Sequence, residues 1–223
     1  MALLRDDVAL RYANHESGED YSSWLLPAVE EVMKKAGVGM KEVDAFGAAS
    51  GPGSFTGVRV GLTTVKAWGE VYGKPIVAVS RLETIASQAW GGTDYVASWA
   101  DARRGQAFGA VYRRSENGLE RLGDEMVIAP GKFVELAAEL AGGERIAWAS
   151  TDAECVFDTE EWKARENLKE GFEPVSCFLA IGIARRAAYE VVAGRFTDAL
   201  GLDANYVRRC DAEISLKGAA HGR

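Results

Sequence analysis

The stretch AASGPGSFTGVRVGLTTVKAWGEVYG, from Ala48 to Gly73, restricts the fold more than any other part of the sequence. The apolar run at 43–50 has no helix caps and predicts a buried strand that leads into a glycine loop. Apolar residues then recur at helical spacing over 57–72, and KPIVAVS at 74–80 predicts the next strand. Strand, helix and strand in this order form a β-α-β unit, so the pattern predicts an α/β protein.

The rest of the chain carries similar patterns on both sides of this unit. Residues 1–13 predict a hairpin that turns at Asp6 and Asp7, and an apolar face predicts a helix over 22–36 that Gly37 ends. After a break near residue 92, the order of elements nearly repeats. This second set comprises strands at 95–100, 106–114, 121–128 and 145–150, a helix that opens at Pro130, an irregular segment at 151–173, and a long helix over 174–193.

The glycine loop does not fit the usual phosphate-binding or nucleophile motifs. Thr56 stands where the dinucleotide fingerprint has its last glycine, and no Gly-Lys-Ser/Thr follows as a P-loop needs. Ser54 lacks the flanking glycines of a nucleophile elbow. Amides at a helix N-terminus leave a weak anion site open, but we favour a tight connection capped by Ser54 or Thr56. The loop motif comprises Gly51, Pro52, Gly53, Ser54, Phe55 and Thr56.

Composition and charge exclude several classes of function. A net charge of −7 and a pI near 5.1 disfavour a direct grip on RNA. Charges at Arg5, Asp6 and Asp7 interrupt the first apolar residues, so we see no secretory signal and expect a cytoplasmic protein without membrane contact. Two histidines and three scattered cysteines predict reduced thiols, no metal site and no recognisable catalytic set.

Two glycines in the helix after the loop indicate a surface for close packing against another helix. Gly57 and Gly61 lie one turn apart and leave a strip of backbone that another helix can approach closely. Trp24, Leu26, Pro27 and Val60 would add an apolar patch, which is typical of partner surfaces. An ordinary internal helix contact explains the same spacing, so both interpretations stay open.

The sequence resembles a known family along most of its length. GPGSFTGVRVGLTTVKAWG closely resembles the signature of the TsaB (YeaZ) family, glycoprotease-like (Gcp-like, peptidase M22-type) proteins of tRNA threonylcarbamoyladenosine (t6A) biosynthesis. The similarity continues, in the same order, through LLPAVEEVMKKAGV, KPIVAVSRLETIA, DARRGQAFGAVY and NYVRRCDAE, and is weakest over 115–173.

The resemblance implies an actin-like, ASKHA-type (ribonuclease H-like) fold of two related lobes. We therefore expect an N-terminal lobe over 1–92, a C-terminal lobe over 93–210 that includes the helix 174–193, and a flexible tail at 211–223. Family members begin with a strand that ends in Asp-Thr-Ser/Thr, and Met1 aligns after it. We therefore expect the first strand of lobe one to be missing.

The resemblance also implies a noncatalytic role and a set of partners. The chain would bind TsaD, the subunit that transfers the threonylcarbamoyl group to the adenosine next to the anticodon, and the ATPase TsaE would join them. We expect a homodimer when TsaD is absent, only indirect contact with tRNA, and no cofactor of its own apart from ATP or ADP within the assembled complex. The expected partner surface comprises Trp24, Leu26, Pro27, Glu30, Met33, Gly57, Val60, Gly61 and Thr64.

One other function stays open at this stage, and a second is rejected. An actin-like nucleotide-dependent phosphotransferase or hydrolase is favoured by the glycine loop and disfavoured by the missing first strand. A peptidase, which the old family name suggests, lacks a metal constellation or a recognisable triad, and we judge that label wrong.

Overall fold

A computed structural model describes residues 1–15, 20–90, 92–116, 118–151, 154–165, 170–205 and 207. The strands of this mixed α/β structure are β1 (Ala2–Arg5), β2 (Val8–Tyr12), β3 (Phe46–Gly51), β4 (Ile76–Ser80), β5 (Tyr95–Arg103), β6 (Gln106–Ser115), β7 (Gly118–Ile128), β8 (Ile146–Ser150) and β9 (Phe172–Pro174). The helices are α1 (Tyr21–Ala36), α2 (Phe55–Tyr72), α3 (Arg81–Ala86), α4 (Pro130–Leu140), α5 (Glu154–Phe157), α6 (Glu160–Arg165) and α7 (Ala180–Val192), with a short 3-10 turn at Met40–Glu42.

The predicted β-α-β unit is confirmed. β3 and β4 are parallel neighbours, and α2 connects them and packs on β3. Gly73 ends α2 in the left-handed conformation, as Gly37 ends α1, because glycine adopts that conformation without a steric penalty. The predicted N-terminal hairpin is also confirmed, since β1 and β2 pair antiparallel across the turn at Asp6 and Asp7.

The second half of the chain forms a five-stranded sheet, which we call the large sheet, with the order β7-β6-β5-β8-β9. One face packs against α3 and the other against α4. Rings from Trp99, Trp148 and Trp162 meet on the α4 face, with ring centroids 5.1–6.4 Å apart. We call these three residues the tryptophan cluster.

Two predictions about the region before α7 are wrong. Residues 151–173 are not simply irregular, since α5, α6 and the start of β9 lie there. The long helix begins at Ala180 rather than at residue 174, because Pro174 belongs to β9 and pairs with Ser150. Val175 extends this ladder by donating its N–H to the Ser150 carbonyl. The sheet therefore uses the backbone groups that a helix would need.

Helix α7 packs against the N-terminal elements β1, β2, β3, β4 and α3. The chain after it also returns there, because Thr197 forms a bridge with Ile76 and the Asn205 N–H donates to the Ser50 carbonyl at 2.8 Å. This part of the chain, which we expected within the C-terminal lobe, thus lies against the N-terminal elements. The division into lobes near residue 92 stays a prediction, and the predicted tail at 211–223 lies outside the described residues.

The N-terminal elements form two small sheets that share α7 as a cover. Among the described residues, β1 pairs only with β2 and β3 pairs only with β4. Helix α7 contacts strands of both sheets, and the Cβ of its Ala187 lies 2.6 Å from the position that a Cβ on Gly47 would take. In the described part of the chain, none of the helices combines the length and apolar character needed to cross a membrane.

Candidate partner surface

The glycine loop is built as a helix cap. The Ser54 side chain accepts a hydrogen bond from the Gly57 N–H at 3.4 Å, so Ser54 is the N-cap of α2 and Thr56 is not. The Gly51 position lies against the Asn205 carbonyl oxygen, which would be 2.9 Å from an added Cβ. An acceptor oxygen beside the loop repels a phosphate. The interpretation as a capped connection is therefore the better supported of the two.

The predicted residues of α1 lie mainly on its exposed side. Leu26 is 59% exposed, and Pro27 and Glu30 are also exposed, whereas Trp24 and Met33 are half-buried. The opposite side of α1 supplies the core, with Ala28, Val29 and Val32 buried. Pro27 lies in the second turn of the helix, where it presents its ring to solvent.

The predicted residues of α2 share one face at helical spacing. Gly57, Val60, Gly61 and Thr64 are all half-buried, and α1 contacts α2. A Cβ added at Gly61 would meet no other atom within 4 Å, so this glycine does not support packing against the protein's own sheet. The glycine strip is thus open on its outer side.

Sequence reasoning named Phe55 and Trp24 at the edges of this surface but missed the side chains that pair with their rings. Phe55 is 42% exposed, and the Arg59 guanidinium lies 3.8 Å from the centroid of its ring. At the start of α1, His15 stacks on Tyr21 with centroids 4.0 Å apart and meets the Trp24 ring edge-on at 5.2 Å. An aromatic count around the loop and the first turn of α1 could have found both groups.

A buried polar junction lies behind the loop and was also missed. The Glu125 carboxylate accepts hydrogen bonds from the Ser80 hydroxyl and from the Asn205 side-chain amide. Burial raises the pKa of Glu125 and also that of Glu83, which pairs with Arg186 at 3.0 Å. The alternation of side chains along β7 could have identified Glu125 as an inward-facing residue. It falls on the same face of the strand as Val127, which packs against the core.

The described residues assemble no recognisable catalytic or metal centre. His15 lies outside helices and strands, and the Asp101 carboxylate accepts from the Arg103 N–H at 2.7 Å at the end of β5. Cys177 is free and exposed. Within the described ranges, no group of three or more His, Cys, Asp or Glu side chains could hold a metal ion.

The sequence is similar to those of known proteins over most of its length. Residues 15–215 match the family model described as TsaD, tRNA N6-adenosine threonylcarbamoyltransferase. The chain is 32% identical over 167 residues to the tRNA threonylcarbamoyladenosine biosynthesis protein TsaB of Escherichia coli K12. The aligned residues cover 71% of this chain and 72% of the relative. It is 30% identical over 139 residues to TsaB of Bacillus subtilis 168, covering 62% and 61% of the two chains.

The three-dimensional structure agrees with the sequence similarity. YeaZ from Pseudomonas aeruginosa is 27% identical, and the two structures superpose with a TM-score of 0.68 over 92% of each chain. The TsaB relatives and the YeaZ structure give one assignment, and the family model gives the broader family. This chain therefore belongs to the TsaB (YeaZ) family, within the broader family whose model carries the TsaD description.

Proposed function

We propose that this protein is a noncatalytic subunit of a tRNA threonylcarbamoyl transferase complex and supports t6A formation by binding TsaD. Its TsaB relatives are named for t6A biosynthesis, which gives the process. The exposed apolar side chains of α1 and the glycine strip of α2 support binding to a protein partner as the mode of action. TsaE joins the same complex, and the protein acts in the cytoplasm.

The observation that carries this proposal is the open glycine strip on α2. Nothing lies within 4 Å of a Cβ at Gly61, and Gly57 faces only its own cap, Ser54. A helix of the partner can approach this backbone closely, while the exposed Leu26 and Pro27 on α1 supply apolar contact area. The same surface serves for self-association when the partner is absent.

We infer that catalysis belongs to the partner. The alternative, an actin-like nucleotide-dependent phosphotransferase or hydrolase, is favoured by Arg81, whose guanidinium lies 3.9 Å from a Cβ position on Gly53. The Asn205 carbonyl beside Gly51 weighs against it, because it places an acceptor where a phosphate oxygen would approach. The loop's contribution is to fix the start of α2.

We also infer that the two N-terminal sheets belong to one actin-like lobe. Helix α7 covers strands of both, and β1 and β3 each have one edge that pairs with no described strand.

The experiment that tests the surface is a bulky substitution at Gly61. Gly61→Leu should weaken the affinity for TsaD about thirtyfold, or ~2 kcal/mol, because the side chain separates the two helix backbones. Its melting temperature should stay close to that of the wild type, since the position is open in the isolated chain. Affinity is measured by titration calorimetry and stability by a thermal melt.

Thr63→Leu is the matched control. Thr63 is exposed and projects from a different face of α2, two residues further along, so this variant should bind TsaD as the wild type does. If Gly61→Leu melts like the wild type and binds TsaD at full strength, the partner surface lies elsewhere on the protein.

A further inference from the structure

Glu125 joins parts of the chain that are far apart in sequence. It lies on β7 of the large sheet, and its side chain is only 2% exposed. One carboxylate oxygen accepts from the hydroxyl of Ser80, which is the N-cap of α3. The other accepts from the side-chain amide of Asn205 at 2.5 Å. Because the carboxylate is held from two sides, it fixes both donors relative to the sheet.

Asn205 carries this connection to the glycine loop. It belongs to a segment at 203–205, which we call the C-terminal strap. The backbone N–H of Asn205 donates to the Ser50 carbonyl at 2.8 Å, and its own carbonyl lies against Gly51. Three residues after Gly51 the chain reaches the Ser54 cap of α2. The strap therefore helps to fix the position of the glycine loop.

Other charged groups surround the junction. The Arg121 guanidinium lies 3.7 Å from a Glu125 oxygen on the same strand. Glu83 on α3 and Tyr112 on β6 also interact electrostatically with Glu125, and Glu83 is in turn paired with Arg186 of α7. One arginine and two hydrogen-bond donors thus face one buried carboxylate.

We propose that Glu125 is a positioning residue that couples the glycine loop and the first turns of α2 to the large sheet through Asn205. In its last step, from the loop to partner affinity, this inference rests on the proposed function. The coupling requires a hydrogen-bond donor on one of positions 125 and 205 that faces an acceptor on the other, as Asn205 and Glu125 do here. The hydrogen bond between these two side chains, rather than the bulk of either one, holds the loop in place.

Isosteric exchanges of the two side chains test this requirement. Asn205→Asp places two carboxylates face to face, which repel when both are ionised. Glu125→Gln leaves two amides, which must reorient to pair. The double variant Glu125→Gln with Asn205→Asp restores an amide opposite a carboxylate with the roles reversed, and the amide oxygen at position 125 still accepts from Ser80.

The readout is amide hydrogen exchange at neutral pH, followed by mass spectrometry of peptides that cover residues 51–61. We expect Asn205→Asp to speed exchange there about tenfold or more and the double variant to return it to within about threefold of the wild type. Peptides from α4, on the other face of the large sheet, should keep their exchange rates in every variant. Glu120→Gln, at an exposed site on β7, is the matched control.

The outcomes separate this inference from the proposed function. Unchanged exchange at 51–61 in Asn205→Asp, or no recovery in the double variant, overturns the coupling, whatever the affinity for TsaD. Faster exchange with recovery supports the coupling. If TsaD affinity follows the same pattern, the proposed surface is supported as well. If exchange responds while affinity does not, the coupling stands and the partner surface on α2 is wrong.

Discussion

Glu125 is subject to opposing influences on its charge. Burial raises its pKa above the ordinary value of 4.5, while the hydrogen bonds from Ser80 and Asn205 and the charge of Arg121 lower it, and burial prevails. The folded protein therefore holds this proton more tightly than the unfolded chain. As pH rises above about 4.5 through the raised pKa, the free energy of unfolding should fall, because the native state must then ionise a buried group.

Replacing this acid should remove its share of the pH dependence. Glu125→Gln cannot ionise, so the difference in stability between the variant and the wild type should shift in favour of the variant as pH rises from about 4 to about 8. Thermal melts across this range measure the shift. Glu83, whose pKa burial also raises, contributes a slope of the same sign to both proteins. If stability changes with pH in the same way in the wild type and in Glu125→Gln, the pKa of Glu125 is not raised by folding.

The junction around Glu125 was hidden from sequence reasoning for a physical reason. Ser80, Glu125 and Asn205 are separated by 45 and 80 residues, and only the three-dimensional fold brings them together. The cap at Ser54 was predictable, because a helix cap is local and its donor, Gly57, lies three residues away.

Helix α7 rests on β3 at a position that has no room for a side chain. A Cβ on Gly47 would lie 2.6 Å from the Cβ of Ala187, much closer than two carbon atoms pack. Gly47→Ala should therefore push α7 away from the strand and destabilise the protein by ~1–3 kcal/mol. Gly92→Ala is the matched control, since nothing lies within 4 Å of its Cβ position. Thermal melts compare the two variants. Equal melting temperatures would contradict the close packing of α7 on β3 at Gly47.

Elements with a strong local signal were predictable, and those formed by tertiary contacts were not. Helix α2 has an apolar face, a serine cap and a terminal glycine, and its predicted range differs from the observed one by two residues at the start. Helices α5 and α6 are too short to show a period, and they form because Phe157 and Trp162 pack into the aromatic core of the large sheet. On the candidate surface, spacing predicted that α2 has a glycine strip, but only the coordinates exclude packing of Gly61 on the protein's own sheet.

At the scale of the whole molecule, a net charge of −7 disfavours a direct grip on tRNA, and the proposed function assigns catalysis to the partner. We expect the purified chain to leave tRNA unmodified when threonine, bicarbonate and ATP are supplied, and to show no ATP turnover. Addition of TsaD and TsaE, together with a preformed activated threonylcarbamoyl donor, should allow modification, measured by nucleoside mass spectrometry. Modification or ATP turnover by the chain alone would contradict the noncatalytic role.

The tryptophan cluster gives the large sheet an optical signature of its own. Indole rings 5.1–6.4 Å apart couple their electronic transitions, and this coupling produces strong near-ultraviolet circular dichroism only while the rings hold fixed mutual angles. Trp24 and Trp68 lie in α1 and α2, where their rings meet Tyr21 and Phe46. Near-ultraviolet dichroism would therefore follow mainly the large sheet, whereas far-ultraviolet dichroism follows helices throughout the molecule. Coincident transitions in one denaturant titration would mean that the molecule unfolds as one cooperative unit.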